Sequence, residues 1–213
     1  MLKRLHEMTS ADARFASLAI VDPDDGSIRA MRVEDHYAAL GTIELSPQVP
    51  SAVNVVFERA RNAFLYAWFA YDLTALAEGQ AYAALEMALR DHLNGGSKTR
   101  LLRGISEQLN AVCLNGTLDD FAPSEHTSDA DRKAYFEQLT TQIARSRNHL
   151  AHGTESIGTP GAVLDSLRLC ANLINHLYRR SREPYLITKS LVEMNSRVDP
   201  PFTHKQTKSF NRR

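Results

Sequence analysis

The chain has 213 residues, which is enough to bury one full hydrophobic core, and its 25 basic and 25 acidic residues balance. This balance argues against a strongly basic protein that binds nucleic acid without specificity, but it leaves room for a local basic groove. No apolar run reaches the roughly 18 residues that a membrane span requires, and the N-terminus lacks an apolar signal core, so we expect a cytoplasmic protein that does not contact membranes. Cys113 and Cys170 lie outside any C-x-x-C pattern, which predicts two buried thiols and neither a disulfide nor a zinc site.

The first fifty residues differ in pattern from the rest of the chain. Two short runs with β propensity, residues 15–21 and 27–33, flank the turn sequence Asp-Pro-Asp-Asp-Gly at positions 22–26. Such a turn between two short runs predicts a β-hairpin. Pro47 and Pro50 separate this part from the remainder of the chain, so we treat residues 1–50 as an N-terminal extension.

A helical pattern begins at Ser51, where apolar residues start to recur at spacings of three and four. One unbroken helix from there to Leu93 would be exceptionally long, so we predict a break near Tyr71 and Asp72. The aromatic residues at positions 68, 69 and 71 are predicted to be core side chains. The predicted helices cover residues 51–71, 72–93, 101–114, 128–153 and 163–182. Four of them are long and their loops are short or moderate, which predicts a mainly α protein with an up-and-down antiparallel helical bundle over residues 51–182. Residues 183–213 have little periodicity and form a predicted basic C-terminal tail.

Polar side chains interrupt the apolar stripe near the end of the helix predicted over residues 128–153. The stripe meets Ser146 and Arg147 where apolar residues are expected, and a guanidinium on such a seam is costly unless it is paired or faces a wet groove. Asn148 and His152 are four residues apart, so they share a face at about 40° separation on an ideal helix. Arg147, Asn148 and His152 therefore form a candidate catalytic set that can hold an anion, orient it and move a proton.

This segment resembles a motif of a known family. Arg147-Asn148-x-x-x-His152 is similar to the R-x4-6-H motif of the HEPN superfamily (higher eukaryote and prokaryote nucleotide-binding), in which a polar residue often follows the arginine. The resemblance covers residues 51–182 and includes the alanine-rich helix predicted over residues 72–93. The bare pattern occurs four times in the chain, but the long helix, the adjacent Asn148 and the closing Gly153 single out this occurrence. The other pairs are Arg29 with His36, Arg145 with His152, and Arg197 with His204.

The resemblance implies a metal-independent endoribonuclease without a cofactor, of the kind found in toxin–antitoxin and anti-phage systems. RNA would supply the nucleophile, its 2′-hydroxyl, and the products would be a 2′,3′-cyclic phosphate and a 5′-hydroxyl. The imidazole of His152 would accept or donate a proton near neutral pH. Arg147 would stabilise the charge on the phosphoryl oxygens, and Asn148 would orient the phosphate or His152. The implied partners are RNA, a second copy of the chain and an antitoxin protein.

A second copy is implied because Arg147 and His152 lie about 140° apart on one regular helix. Members of the HEPN superfamily dimerise, so that the motifs of two protomers line one cleft, and the resemblance implies the same homodimer for this chain. Arg145 shares a face better with Asn148 and His152, and it is the alternative to Arg147.

Four arginines are predicted to contact the RNA backbone: Arg145, Arg179, Arg180 and Arg182. Because the helix dipole also favours cations at helix C-termini, a purely structural role for the arginines and histidines near these helix ends stays open. His149 and His152 have a spacing that suits two metal ligands, but no third ligand at a diagnostic spacing accompanies them, so no metal site is predicted. Glu78 and Glu86 are either partners in a bundle cleft or part of a solvated flank.

Two other functions stay open beside the nuclease. A catalytically silent HEPN-like module would bind a nucleotide, an RNA or a protein partner through the same bundle, and the neutral overall charge favours it. A purely structural helical dimer would leave the polar break at Ser146 and Arg147 unexplained. The intact set of Arg147, Asn148 and His152 favours the enzyme.

Overall fold

The computed structural model describes residues 3–22, 25–94, 104–126, 128–153 and 157–179. This part of the chain is mainly helical and contains one two-stranded antiparallel sheet near the N-terminus, which confirms the predicted fold class. The α-helices and strands are α1 (Ala13–Ala16), β1 (Ala19–Val21), β2 (Ile28–Ala30), α2 (Val33–Gly41), α3 (Ser51–Tyr66), α4 (Leu73–Asn94), α5 (Ile105–Leu114), α6 (Asp129–Ala151) and α7 (Pro160–Arg179), and short 3-10 helices cover Leu5–Glu7 and Asp119–Phe121. None of these helices is long and apolar enough to cross a membrane. The predicted tail, residues 183–213, lies outside the described residues.

The hairpin forms as predicted, although each of its strands is only three residues long. Val21 pairs with Ile28 next to the turn. Gly26 adopts a φ of 73°, a left-handed conformation that glycine reaches without steric cost, and its N–H donates to the carbonyl of Asp22 at 2.9 Å. Arg29 on β2 pairs with Asp22 at 2.6 Å and with Asp35 at 2.7 Å. The first ion pair lies within the hairpin, and the second ties the hairpin to the beginning of α2.

Helix α2 was not predicted from the sequence, because residues 27–33 have the pattern of a strand. β2 ends at Ala30, and the Asp35 carboxylate accepts a hydrogen bond from the Arg32 N–H at 2.8 Å. Acidic side chains in the first turn favour a helix start through the helix dipole. The buried residues of α2 are His36 and Leu40. A histidine at one of two buried positions hides the apolar periodicity that marks the other helices.

Helix α4 lies at the centre of the bundle and packs against α3, α5, α6 and α7. Its buried residues are Thr74, Ala77, Ala81, Tyr82, Ala84, Leu85, Ala88 and Leu89. These positions fall within an arc of about 160° on an ideal helix, so one broad face of α4 is buried, and short alanine side chains let its neighbours approach closely. The alanine-rich composition of α4 is therefore the local reason for its central position.

Contacts along α4 give the helix directions. Ser166 near the start of α7 bonds to Glu78 at 2.8 Å, and Tyr178 near its end bonds to Asp91 at 2.9 Å. A later residue of α7 thus contacts a later residue of α4, so the two helices run in the same direction. Since short connections join α3 to α4 and α6 to α7, the long helices alternate in direction, as an up-and-down bundle requires.

Helix α6 begins and ends where the sequence predicts. The Ser128 hydroxyl accepts a hydrogen bond from the Asp131 N–H at 3.1 Å, which is an N-cap interaction. At the other end, the N–H of His152 donates to the carbonyl of Asn148 at 3.0 Å, and Gly153 has a φ of 80°. A glycine in this conformation is a common helix C-terminus, so the position of the candidate site follows from local sequence.

The N-terminal extension packs on the bundle through an apolar cluster that is separate from the main core. Its buried members are Phe15, Ala67, Trp68 and Tyr71. The predicted burial of Trp68 and Tyr71 is thus confirmed. His36 lies beside this cluster, with its ring centroid 4.9 Å from that of Phe15 and its Nε2 2.8 Å from the Phe64 carbonyl oxygen. Burial lowers the pKa of His36 below its ordinary value, so this side chain favours the neutral form.

Candidate functional site

Arg147 lies on the side of α6 that faces α4, where it meets Glu86. Its Nη2 donates to Oε2 of Glu86 at 3.2 Å, and the other oxygen of Glu86 accepts from Arg90 at 3.2 Å. The Glu86 side chain is only 15% exposed, whereas that of Arg147 is 37% exposed. A partly buried carboxylate therefore holds the guanidinium and balances its charge, which explains how the seam of α6 accommodates an arginine.

A groove of about 520 Å³ runs between α4 and α6 beside this ion pair. It is lined by Ala75, Leu76, Gly79, Gln80, Ala83 and Glu86 on α4 and by Arg147, Leu150, Ala151 and Gly153 from α6 and its end. Small and apolar side chains form most of the lining, and the Glu86–Arg147 pair supplies its charge. The groove thus offers a guanidinium next to an apolar surface.

A chain of hydroxyl groups continues the polar contacts between α4, α6 and α7. The Tyr82 hydroxyl donates to Glu78 at 3.2 Å, and the Ser166 hydroxyl donates to the same carboxylate oxygen at 2.8 Å. Burial raises the pKa of Tyr82 to about 12, and the nearby Ser146 side chain on α6 opposes that rise. Ser146 and Arg147, the two polar residues of the α6 seam, therefore both lie beside polar side chains of α4.

Asn148 and His152 lie on a different side of α6 from Arg147. Both residues are exposed, and neither lines the groove beside Arg147. Their side chains have no hydrogen-bond partner among the residues that the structure describes, so they are accessible to a ligand or to a second protomer. One chain does not bring the three predicted catalytic residues into one cleft, in agreement with the 140° separation expected on a regular helix.

The predicted RNA-contacting arginines lie in different places. Arg145 is exposed and lies along α6 in a shallow depression beside Gln142 and Ser146. Arg179 is exposed in the last turn of α7, where its Nη2 is 3.4 Å from Nδ1 of His176. Neither residue lines the groove beside Arg147. Arg180 and Arg182 lie outside the described residues.

Metal-binding side chains do not gather near the end of α6 in the described part of the chain. No group of three or more histidine, cysteine, aspartate or glutamate residues there is placed to hold a metal ion. His149 and His152 are both exposed. Of the two cysteines, Cys170 is fully buried and Cys113 is half-buried, and burial raises the pKa of both thiols.

The hydroxyl network is the part of the site that the sequence analysis did not find. Its signal was present on α4, where Glu78, Tyr82 and Glu86 recur every fourth residue in an otherwise alanine-rich helix. Such a spacing places side chains on one face of a helix. Of the two interpretations given for Glu86, the bundle-cleft partner fits the observed contact with Arg147.

Comparison with models of protein families, with curated proteins and with solved structures found no match to this chain.

Proposed function

We propose that this chain is a metal-independent endoribonuclease of the HEPN type that acts as a homodimer. One observation supports the proposal above the others. Arg147 is held by Glu86 beside a groove, and the exposed Asn148 and His152 follow it within the last turns of the same helix. This arrangement supplies a fixed cation to stabilise phosphoryl charge, an imidazole to move protons and an amide to orient the phosphate, which suits phosphodiester cleavage by the RNA 2′-hydroxyl.

The proposed reaction needs one proton acceptor and one proton donor. A histidine takes the proton of the 2′-hydroxyl while its oxygen attacks the phosphorus atom. The bond between phosphorus and the 5′-oxygen breaks, and a second histidine gives that oxygen a proton. The Arg147 guanidinium binds the phosphoryl oxygens as their negative charge grows, and Asn148 orients the phosphate or His152. The products are a 2′,3′-cyclic phosphate and a 5′-hydroxyl.

The proposal includes a second protomer because Arg147 and His152 lie apart within one chain. Arg147 faces the groove, and His152 lies on another side of α6. A twofold dimer that brings two α6 ends together places the Arg147 of one protomer near the His152 of its partner and supplies both histidines. Ala75, Gly79 and Ala83, spaced four apart on α4, leave room for a close approach of the partner along the groove.

The proposed biological role is that of a toxin or an anti-phage defence protein whose activity an antitoxin protein restrains. In this role the exposed Arg145 and Arg179 contribute charge along the RNA backbone. The sequence assigns Arg180 and Arg182, at the end of the helix predicted over residues 163–182, to the same role. Because the chain carries no net charge, the proposal relies on these local basic side chains, and not on the charge of the whole protein, to hold the RNA backbone.

The direct test is the chemistry of the cut ends. Single-stranded RNA is incubated with the purified protein, and the fragments are analysed by mass spectrometry. We expect 2′,3′-cyclic phosphate and 5′-hydroxyl ends. Fragments with 5′-phosphate and 3′-hydroxyl ends would contradict attack by the 2′-hydroxyl.

A catalytically silent HEPN-like module that binds a nucleotide, an RNA or a protein is the second candidate. The contact between Arg147 and Glu86 favours this candidate, because an arginine that is paired within its own chain can stabilise the fold without taking part in catalysis. RNA that is bound but left uncut by the dimer would select this candidate.

A further inference from the structure

The Glu86 carboxylate binds two guanidinium groups, one from each side of the groove. Its Oε2 accepts a hydrogen bond from Arg147 on α6 at 3.2 Å, and its Oε1 accepts one from Arg90 on α4 at 3.2 Å. Arg90 follows Glu86 by four residues, a spacing that places both side chains on one face of α4. Arg147 comes from α6, 61 residues after Glu86 in the sequence. One carboxylate therefore fixes a cation from each of two helices.

The carboxylate is the most buried of these three groups. The Glu86 side chain is 15% exposed, whereas those of Arg90 and Arg147 are 46% and 37% exposed. Neither arginine forms an ion pair with another carboxylate among the residues that the structure describes. Two guanidinium groups against one carboxylate leave one positive charge in excess, in a chain whose total charge is zero. The cluster thus presents mainly positive charge to a ligand.

Both guanidinium groups keep N–H donors for such a ligand. A guanidinium has several N–H donors and no acceptor, and among the described residues only Glu86 accepts from Arg90 or Arg147. The planar fork of donors on an arginine matches the oxygens of a phosphate group. Because the two arginines bond to different oxygens of Glu86, we assign each of them its own phosphate.

We propose that Arg90 binds the RNA phosphate next to the one that Arg147 contacts, so that Glu86, Arg90 and Arg147 form a two-phosphate clamp. This inference rests on the proposed function, in which Arg147 binds the phosphoryl group that is cleaved. Phosphates repeat along every RNA strand, so the clamp positions the strand without reading its base sequence. The charge on the neighbouring phosphate does not change during cleavage, so Arg90 contributes to binding and not to the rate of the chemical step.

The test compares Arg90→Gln with Arg168→Gln. Arg168 on α7 is a matched control, because its side chain is also 46% exposed and pairs with an acid of its own helix, Asp165, at 2.8 Å. Arg90→Lys, which keeps the charge, is the conservative variant. Binding of a labelled single-stranded oligouridine is followed by fluorescence anisotropy over a series of KCl concentrations. These binding measurements use chains that also carry His152→Ala, so that the RNA stays intact, and the kinetics of cleavage are measured in chains that keep His152.

The expected result is a smaller dependence of RNA binding on salt. Each phosphate contact with a single strand contributes about 0.7 to the slope of log affinity against log salt concentration, so Arg90→Gln should lower that slope by about 0.7. A rise from about 50 to about 200 mM KCl should then cost this variant about 2.5-fold less affinity than it costs its parent. Arg90→Lys and Arg168→Gln should keep the slope of the parent. In the cleavage assay, Arg90→Gln should raise KM and leave kcat nearly unchanged.

Three results would overturn the two-phosphate clamp. The first is a slope in Arg90→Gln that equals that of Arg168→Gln. The second is a weaker affinity with an unchanged slope, because Arg90 would then act only through Glu86 and Arg147. The third is a parent chain that does not bind the oligouridine.

The clamp and the proposed function fail in different ways. If Arg90→Gln lowers the slope but the unmodified protein leaves RNA uncut, the proposed function is wrong and the clamp stands. If the unmodified protein cleaves RNA and Arg90→Gln matches Arg168→Gln in slope and in KM, the nuclease stands and the clamp is wrong.

Discussion

Breaking the contact between Glu86 and Arg147 is expected to reveal a coupling free energy of about 0.5–1 kcal/mol. At the observed separation of 3.2 Å, Coulomb's law with the dielectric constant of water gives about 1.3 kcal/mol. Ordering the arginine side chain and the 37% exposure of that side chain both reduce this value toward the range of exposed ion pairs. The 15% exposure of Glu86 keeps the coupling at the upper end of that range.

The assay is a double-mutant cycle with Glu86→Gln, Arg147→Gln and the double variant, in which urea unfolding is followed by circular dichroism at low ionic strength. Asp165 and Arg168 on α7 provide a control pair at 2.8 Å with side chains that are 76% and 46% exposed, and their coupling should be about 0.3 kcal/mol or less. Added salt should reduce both values. A coupling between Glu86 and Arg147 no larger than that of the control pair would refute the argument that Glu86 holds the guanidinium.

Three further expectations concern pH, assembly and metal. Burial lowers the pKa of three histidines below 6.5, so the unfolded chain takes up protons at a higher pH than the folded chain does. The melting temperature should therefore fall as the pH is lowered from 7.5 to 5.5. A melting temperature that stays constant or rises would contradict this expectation. The histidines are His36, His92 and His176. Light scattering after gel filtration should give about twice the chain mass of 23.8 kDa, and a clean monomer at tens of micromolar would remove the argument for a composite site. RNA cleavage should survive EDTA, whereas loss of activity that a divalent ion restores would support a metal site at His149 and His152 instead.

Several boundaries of the long helices were predictable because they depend on local chemistry, but two predicted boundaries were wrong. Helix α3 ends at Tyr66 and not at residue 71, and α7 begins at Pro160 and not at residue 163. Ser128 caps the start of α6 through its own hydroxyl, and Gly153 takes the left-handed conformation at its end. The break between α3 and α4 follows from the length of the periodic segment, and the structure places it between Tyr66 and Leu73. Such features need no knowledge of distant contacts.

Helix α2 and the contacts of the site depend on residues that are far apart in the sequence. His36 is buried because the rings of Phe15 and Phe64 pack against it, and neither residue is close to it in the sequence. In the same way, the polar residues of the α6 seam are accommodated because Tyr82 and Glu86 on α4, about sixty residues earlier, lie beside them. The sequence pattern located the polar break, but it could not predict the pairing across the bundle.

The central claim is tested most directly by replacing His152 with alanine and measuring RNA cleavage and thermal stability together. Because His152 is exposed at the end of α6, we expect cleavage to slow by about 10²–10⁴-fold while the melting temperature stays nearly unchanged. His149→Ala, in the same turn but outside the motif, is the matched control and should reduce activity only modestly; Arg147→Ala should act like His152→Ala, and Arg145→Ala should do less. A His152→Ala protein that cleaves RNA as fast as the unmodified chain would contradict the nuclease mechanism, and one that loses most of its thermal stability would show that this turn serves the fold instead.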